Sequence, residues 1–168
     1  MSLRPQSARL EVVRADYNDP QHAAKLVDLL DAYACDPMGG GRPLPAEVRA
    51  RLVPELAARP QCFSLIGYAD GTAAGLANCV EGFSTFAAKP LINIHDIAVL
   101  PAFRGRGLAR ALLAEVEAIA RHRGACKLTL EVLEGNGPAT AAYRRFGFAG
   151  YALDPSQGRA EFWEKPLA

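Results

Sequence analysis

Residues 91–110 read Leu91-Ile92-Asn93-Ile94-His95-Asp96-Ile97-Ala98-Val99-Leu100-Pro101-Ala102-Phe103-Arg104-Gly105-Arg106-Gly107-Leu108-Ala109-Arg110, and an Ala/Leu/Glu-rich stretch continues to Ala120. The first ten residues read as an apolar strand, Gly105 and Gly107 as a turn, and the remainder as a helix. Such a junction presents unpaired backbone N–H groups at the positive end of a helix dipole, where a phosphate or pyrophosphate can be held. Gly105 and Gly107 bring no Cβ to keep an anion off the backbone, and Arg104, Arg106 and Arg110 add positive charge around it. A plain chain-reversing turn needs none of these arginines. A dinucleotide fingerprint fails here, because the sixth position counted from Gly105 is Arg110, where a close helix–strand contact calls for Gly or Ala. A P-loop fails as well, since no Gly-Lys-Ser/Thr follows the glycines.

Upstream, Leu10 to Ala15 reads as a short strand. Asp19 caps a helix whose first turn takes Pro20 and whose apolar positions, Ala23, Leu26, Val27, Leu30 and Tyr33, keep helical spacing. Three glycines and three prolines between Asp36 and Pro45 make that stretch a loop, in which Asp36 and Arg42 are candidate substrate contacts. A second helix from Ala46 to Ala58 carries Val48, Leu52 and Leu56 on one face, with Leu44 ahead of it. Cys62–Ala69 and Ala73–Phe83 then form an antiparallel hairpin around Asp70-Gly71. In the turn that follows, Phe83 and Phe86 read as loop anchors.

Downstream, the helix runs from Gly105 to His122 with Leu108, Leu112, Leu113, Val116 and Ile119 at helical spacing, and Gly124 ends it. Cys126 to Leu133 alternates as a strand. Asn136 and Pro138 open a short helix that Gly147 closes, with Tyr143 near its middle. Two further strands are expected near Ala149–Leu153 and Arg159–Lys165.

With 168 residues, half of them apolar, the chain reads as a single domain, 1–168. A formal net charge of +1 argues against a general nucleic-acid or membrane surface. No apolar run approaches the roughly 20 residues of a membrane span, and the first residues lack a signal-peptide pattern, which points to the cytoplasm. Cys35, Cys62, Cys79 and Cys126 contain no Cys-x-x-Cys pair, so no metal site is expected and they read as reduced, mostly buried small hydrophobes.

The residues Arg104-x-x-Gly107-x-Ala109, approached by Val99-x-Pro101-x-x-Arg104, resemble the main motif of the GNAT superfamily of N-acetyltransferases. Asn136-x-x-Ala139-x-x-x-Tyr143-x-x-x-Gly147-Phe148 is similar to that superfamily's second motif and falls one helix and one strand later. The resemblance covers roughly Asp70 to Lys165. It implies an α/β fold: a central twisted, mostly antiparallel mixed sheet of six to seven strands, splayed near Val99 and flanked by about four helices. Within the superfamily, Gly82-Phe83-Ser84-Thr85-Phe86 with His95-Asp96-Ile97-Ala98-Val99 is similar to diamine and polyamine N-acetyltransferases, except that His95 stands where those enzymes usually have Glu.

The resemblance further implies acetyl-CoA as cosubstrate, no metal, a small-molecule or peptide amine as acceptor, and a homodimer. Acetyl transfer to an amine needs a neutral amine, stabilisation of the carbonyl oxygen as it becomes negative, and a proton for the departing thiolate. By the same resemblance the pantetheine arm lies along Ile97, Ala98 and Val99, with the Val99 N–H as oxyanion donor and Asn136 holding the arm. The pyrophosphate rests on Arg104, Gly105, Arg106, Gly107, Leu108, Ala109 and Arg110. Tyr143 delivers the proton to sulfur, since a phenol stays protonated at neutral pH. Either His95 or Asp96 faces the amine, because neighbours in a regular strand point to opposite faces. His95 serves as base or water-linked relay with Asp96 orienting, or else it is a core histidine. A regulatory domain that binds acyl-CoA without turnover is the alternative, and a nicotinamide enzyme a distant third.

Overall fold

The computed structural model describes residues 9–167. Local chemistry places most of the elements. Strand β1 (Leu10–Arg14) leads to helix α1 (Pro20–Cys35), which opens as its sequence predicts: Asp19 Oδ1 accepts the Gln21 N–H at 2.8 Å and Pro20 occupies the first turn. A short 3-10 turn, Pro37–Gly39, follows. A Cβ at Gly39 would lie 1.9 Å from the Tyr33 carbonyl oxygen, so only glycine lets this loop fold back over the end of α1. Helix α2 (Ala46–Ala57) turns Val53 inward, and Val48, expected on one face with Leu52 and Leu56, is exposed.

Strands β2 (Cys62–Ala69) and β3 (Thr72–Ser84) form the predicted hairpin. Asp70 and Gly71 both take positive φ, 51° and 81°, the backbone that matches the twist of a two-residue hairpin. Strand β4 (Lys89–Val99), helix α3 (Leu108–His122) and strand β5 (Leu128–Leu130) complete a crossover unit. The sheet order is β1-β2-β3-β4-β5, antiparallel except for the parallel β4–β5 pair. Ile66 and Leu76 pack with Leu26 and Leu29 of α1 and with Val53 of α2. On the opposite face, Leu108 and Leu112 of α3 lie over Gly67 and Gly75, where the missing side chains let the helix approach the sheet. All these elements belong to a compact unit that ends at Leu130.

Residues from Glu131 form a second, smaller unit containing helix α4 (Gly137–Phe146). Here the expected strand count is slightly off: the described residues form five strands rather than six or seven, and residues 149–153 and 159–165 are not strands. Strands form only when a partner satisfies their backbone groups. The Ala160 N–H donates to Tyr151 O over a long 3.4 Å, which does not make a ladder, and Trp163 is 82% exposed. The strand expected over Cys126–Leu133 shrinks to Leu128–Leu130, the residues that pair with β4. Phe83 and Phe86 anchor nothing and are both exposed. Of the cysteines, Cys62 and Cys79 are buried as expected, whereas Cys35 and Cys126 are exposed. No described helix is long and apolar enough to cross a membrane.

Candidate active site

A β-bulge in β4 sets the geometry of the site. Cys79 pairs with Ile94 and Asn78 with Asp96, so His95 is an extra residue in the ladder. Before it, the Ile92 N–H donates to Lys127 O, toward β5; after it, the Leu100 N–H donates to Ala74 O, toward β3. Residues alternate sides along a strand, so Ile97 and Val99, out of phase with Leu100, aim their N–H and C=O groups away from β3. The β5 ladder stops at the Ile94–Leu130 pair. Ile97 and Val99 therefore face an edge that no described strand covers, while Ala98, also named from the sequence, bonds toward β3. The bulge also overturns the expectation that His95 and Asp96 simply alternate as in a regular strand. His95 is exposed rather than a core histidine, and Asp96 is half-buried with Oδ2 accepting a hydrogen bond from Asn78 Nδ2 at 3.0 Å.

The glycine turn follows at once. After a 3-10 turn at Pro101–Phe103, Gly105 and Gly107 take φ of 75° and 91°, so α3 begins at Leu108 rather than at Gly105. A Cβ at Gly105 would meet nothing within 4 Å; the backbone angle is what calls for glycine, and the space in front of it is open. No side chain caps α3. The first turn, from Leu108 through Ala109 to Arg110, thus offers N–H groups without helical acceptors, the first helical bond being Ala111 N–H to Gly107 O at 3.0 Å. Arg106 stacks its guanidinium 5.3 Å from the Phe103 ring centroid, and Arg110 is exposed.

Arg104 is engaged inside the protein. Its Nε donates to Val99 O at 3.0 Å and its terminal nitrogen to Asp36 Oδ2 at 2.7 Å, tying the loop after α1 to the end of β4. The Arg104 hydrogen bond, then the Met38 N–H, hold the Asp36 carboxyl below its ordinary range. Arg42 is exposed. A small cleft between α1 and β4 is lined by Leu29, Tyr33, Leu76, Ala98, Val99 and Arg104. Burial raises the Tyr33 phenol above its usual pKa, and the charges of Asp96 and Asp36 add to that. Tyr33, Asn78 and Ser64 carried no sequence signal: each sits in an ordinary helical or strand pattern, and only the packing shows their polar roles.

In the second unit, Asn136 caps α4, with Oδ1 accepting the Ala139 N–H at 3.3 Å. Gly147 closes the helix at φ 108°. Tyr143 is half-buried with its ring edge-on to Phe148, centroids 5.9 Å apart, and its carbonyl accepts the Phe148 N–H at 3.0 Å.

The open edge of β4 at Ile97 and Val99 thus runs into an uncapped, glycine-entered helix. An aminoglycoside N-acetyltransferase solved in complex with CoA superposes with a TM-score of 0.75 at 21% identity, over 98% of this chain and 100% of that one. Residues 26–148 match the model of the acetyltransferase (GNAT) family, and the chain belongs to that family. Streptothricin acetyltransferase of Streptomyces lavendulae is 44% identical over 101 residues, which is 59% of this chain and 51% of that protein. Aminoglycoside N(6')-acetyltransferase type 1 of Salmonella typhimurium is 30% identical over 91 residues, 51% of this chain and 61% of the relative. The chain thus spans about half to three-fifths of the length of these two relatives.

Proposed function

We propose that the protein transfers an acetyl group from acetyl-CoA to a primary amine of a small molecule or peptide, the whole chain acting as one acetyltransferase domain. The observation that carries this reading is the uncovered Ile97–Val99 edge leading into the open N-terminus of α3. Bound acetyl-CoA supplies an acyl group activated as a thioester. Ile97 and Val99 offer backbone partners to the amides of its pantetheine arm, and the Val99 N–H faces the developing negative charge on the acyl oxygen. Gly105, Gly107 and the first turn of α3 receive the pyrophosphate, with Arg106 and Arg110 adding charge. Arg104 keeps Val99 and Asp36 in place through its Nε and one terminal nitrogen.

Asp96 receives the acceptor ammonium, and the exposed His95 relays the released proton to solvent. By their places in the family's second motif, Tyr143 is the proposed proton donor to the departing sulfur and Asn136 the proposed partner of the pantetheine arm. Relatives that act, by name, on streptothricin and aminoglycosides support a small-molecule acceptor. A homodimer in the cytoplasm completes the proposal. The test is release of free CoA thiol from acetyl-CoA across a panel of aminoglycosides, streptothricin-type antibiotics, polyamines, amino acids and short peptides. Turnover with one class supports the reading. Tight CoA binding with no turnover across the panel overturns it in favour of a binding domain.

A further inference from the structure

The buried polar side chains of the described core, Ser64 and Asn78, are 0% and 8% exposed and belong to one chain of hydrogen bonds. The Tyr17 hydroxyl lies 2.9 Å from Ser64 Oγ. Ser64 Oγ lies 2.6 Å from Asn78 Oδ1, and Asn78 Nδ2 lies 3.0 Å from Asp96 Oδ2. The chain crosses the sheet from the loop after β1 through β2 and β3 to the bulged part of β4.

Its direction follows from the atoms. An amide oxygen carries no proton, so Ser64 gives its single hydroxyl proton to Asn78, and Tyr17 must then donate to Ser64. Turning the amide over would aim an oxygen lone pair at the Asp96 carboxylate, which fixes the nitrogen on that side. Every donor therefore points toward Asp96, and the chain terminates on a carboxylate that accepts through Oδ2. Among the described residues no hydrogen bond reaches Oδ1. Buried polar groups add little net stability over apolar groups of the same shape, but a fully satisfied network fixes one geometry. The ionisable groups around Asp96 include the adjacent His95, Tyr33 from α1 and Cys79 from β3, the last two of which feel its charge; Asp36 also acts on Tyr33, and Arg123, paired with Glu81, acts on Cys79. Tyr33 and Cys79 are uncharged when protonated, and the nearby cation Arg104 is bound to Asp36. An arriving ammonium would supply the missing positive charge.

We propose that Asn78, oriented by Ser64 and Tyr17, is a positioning residue that holds Asp96 by one oxygen and presents the other to the ammonium of the acceptor amine. This rests on the acetyltransfer reading above. Asn78→Leu keeps the volume and removes both hydrogen bonds. It is expected to lower kcat/KM for the amine about 10- to 100-fold, the range for a hydrogen bond to a charged group, while the KM for acetyl-CoA stays within about twofold. Ser64→Ala is expected to show a smaller loss of the same kind, and Ser64→Thr, which keeps the hydroxyl, to restore it. Equal losses for both substrates, or no loss, overturn the proposal. A second measurement does not depend on turnover. The Asn78 side-chain amide protons of the wild-type protein should show one strongly downfield NMR signal that disappears in Asp96→Ala. Its absence from the wild-type spectrum overturns the positioning role of Asn78 even in an active enzyme. Its presence in a protein that acetylates nothing leaves the Asn78–Asp96 contact standing and removes the acetyltransfer reading alone.

Discussion

Gly75 offers the sharpest test of how the sheet is assembled beneath the site. It lies in β3 opposite Val99, and a methyl group there would stand 2.9 Å from the Ala98 carbonyl oxygen, 3.2 Å from Leu112 Cδ1 and 3.3 Å from Leu108 Cδ2. The two leucines are at most 1% exposed, and the carbonyl belongs to the ladder. Overpacking of this kind costs about 1–3 kcal/mol. The lower entropy of the unfolded chain in Gly75→Ala offsets about 0.4–1 kcal/mol of it. A net loss centred on about 1.3 kcal/mol follows, within a range of roughly 0–2.6 kcal/mol, or roughly 3–5 °C in Tm for a chain of this size. Gly82→Ala is the control. Its methyl would meet only the tip of Leu91 at 3.3 Å, so that variant should be neutral or more stable by up to about 1 kcal/mol. Urea unfolding of both variants, compared at equal m-values, measures the difference. Equal stabilities, or a stabilised Gly75→Ala, would refute the close approach of β3, β4 and α3 on which the placement of Val99 depends.

Asp36 has a depressed pKa in the folded protein, so its clamp to Arg104 is fully present above the ordinary carboxylate value of 3.8 and is lost as pH falls through the lower folded value. Urea melts between pH 5 and pH 2 should show this acid-side loss, at most about 1 kcal/mol for a pair open to solvent, and Arg104→Gln should reduce it. Burial pushes the Cys79 thiol up to about 12, and Cys62 is also buried. A disulfide reagent at pH 8 should therefore titrate two thiols quickly, Cys35 and Cys126, and the other two only on unfolding. Gly107→Val forces a β-branched residue to φ near 91°, and should weaken acetyl-CoA binding at least about tenfold by calorimetry. Unchanged affinity in that variant would remove the α3 N-terminus from the cosubstrate site.

Much of the fold was legible because its signals are local. The Asp19 cap, the Asp70-Gly71 hairpin and the Gly147 stop each act within a few residues, and the apolar stripe of α3 repeats at helical spacing. The same holds for Gly105 and Gly107, whose role lies in their own backbone angles. Pairing was not legible. Nothing near residues 149–165 says that those stretches lack a partner, and nothing near Cys126 says that β5 ends after Leu130. The bulge at His95 exists only relative to β3, and it decides which backbone groups of Ile97 and Val99 reach the open edge. Arg104 reads in sequence as an anion ligand, yet Asp36, 68 positions away, claims it in the fold. Ser64, Asn78 and Tyr17 look like routine residues until the sheet brings them to Asp96. By itself the sequence determined the helices, the first hairpin, their order and the glycine-entered turn, since capping, turn angles and periodicity are properties of adjacent residues. Only the tertiary structure decided register, sheet edges and the buried polar chain, because hydrogen-bond partners and burial come from residues distant along the chain.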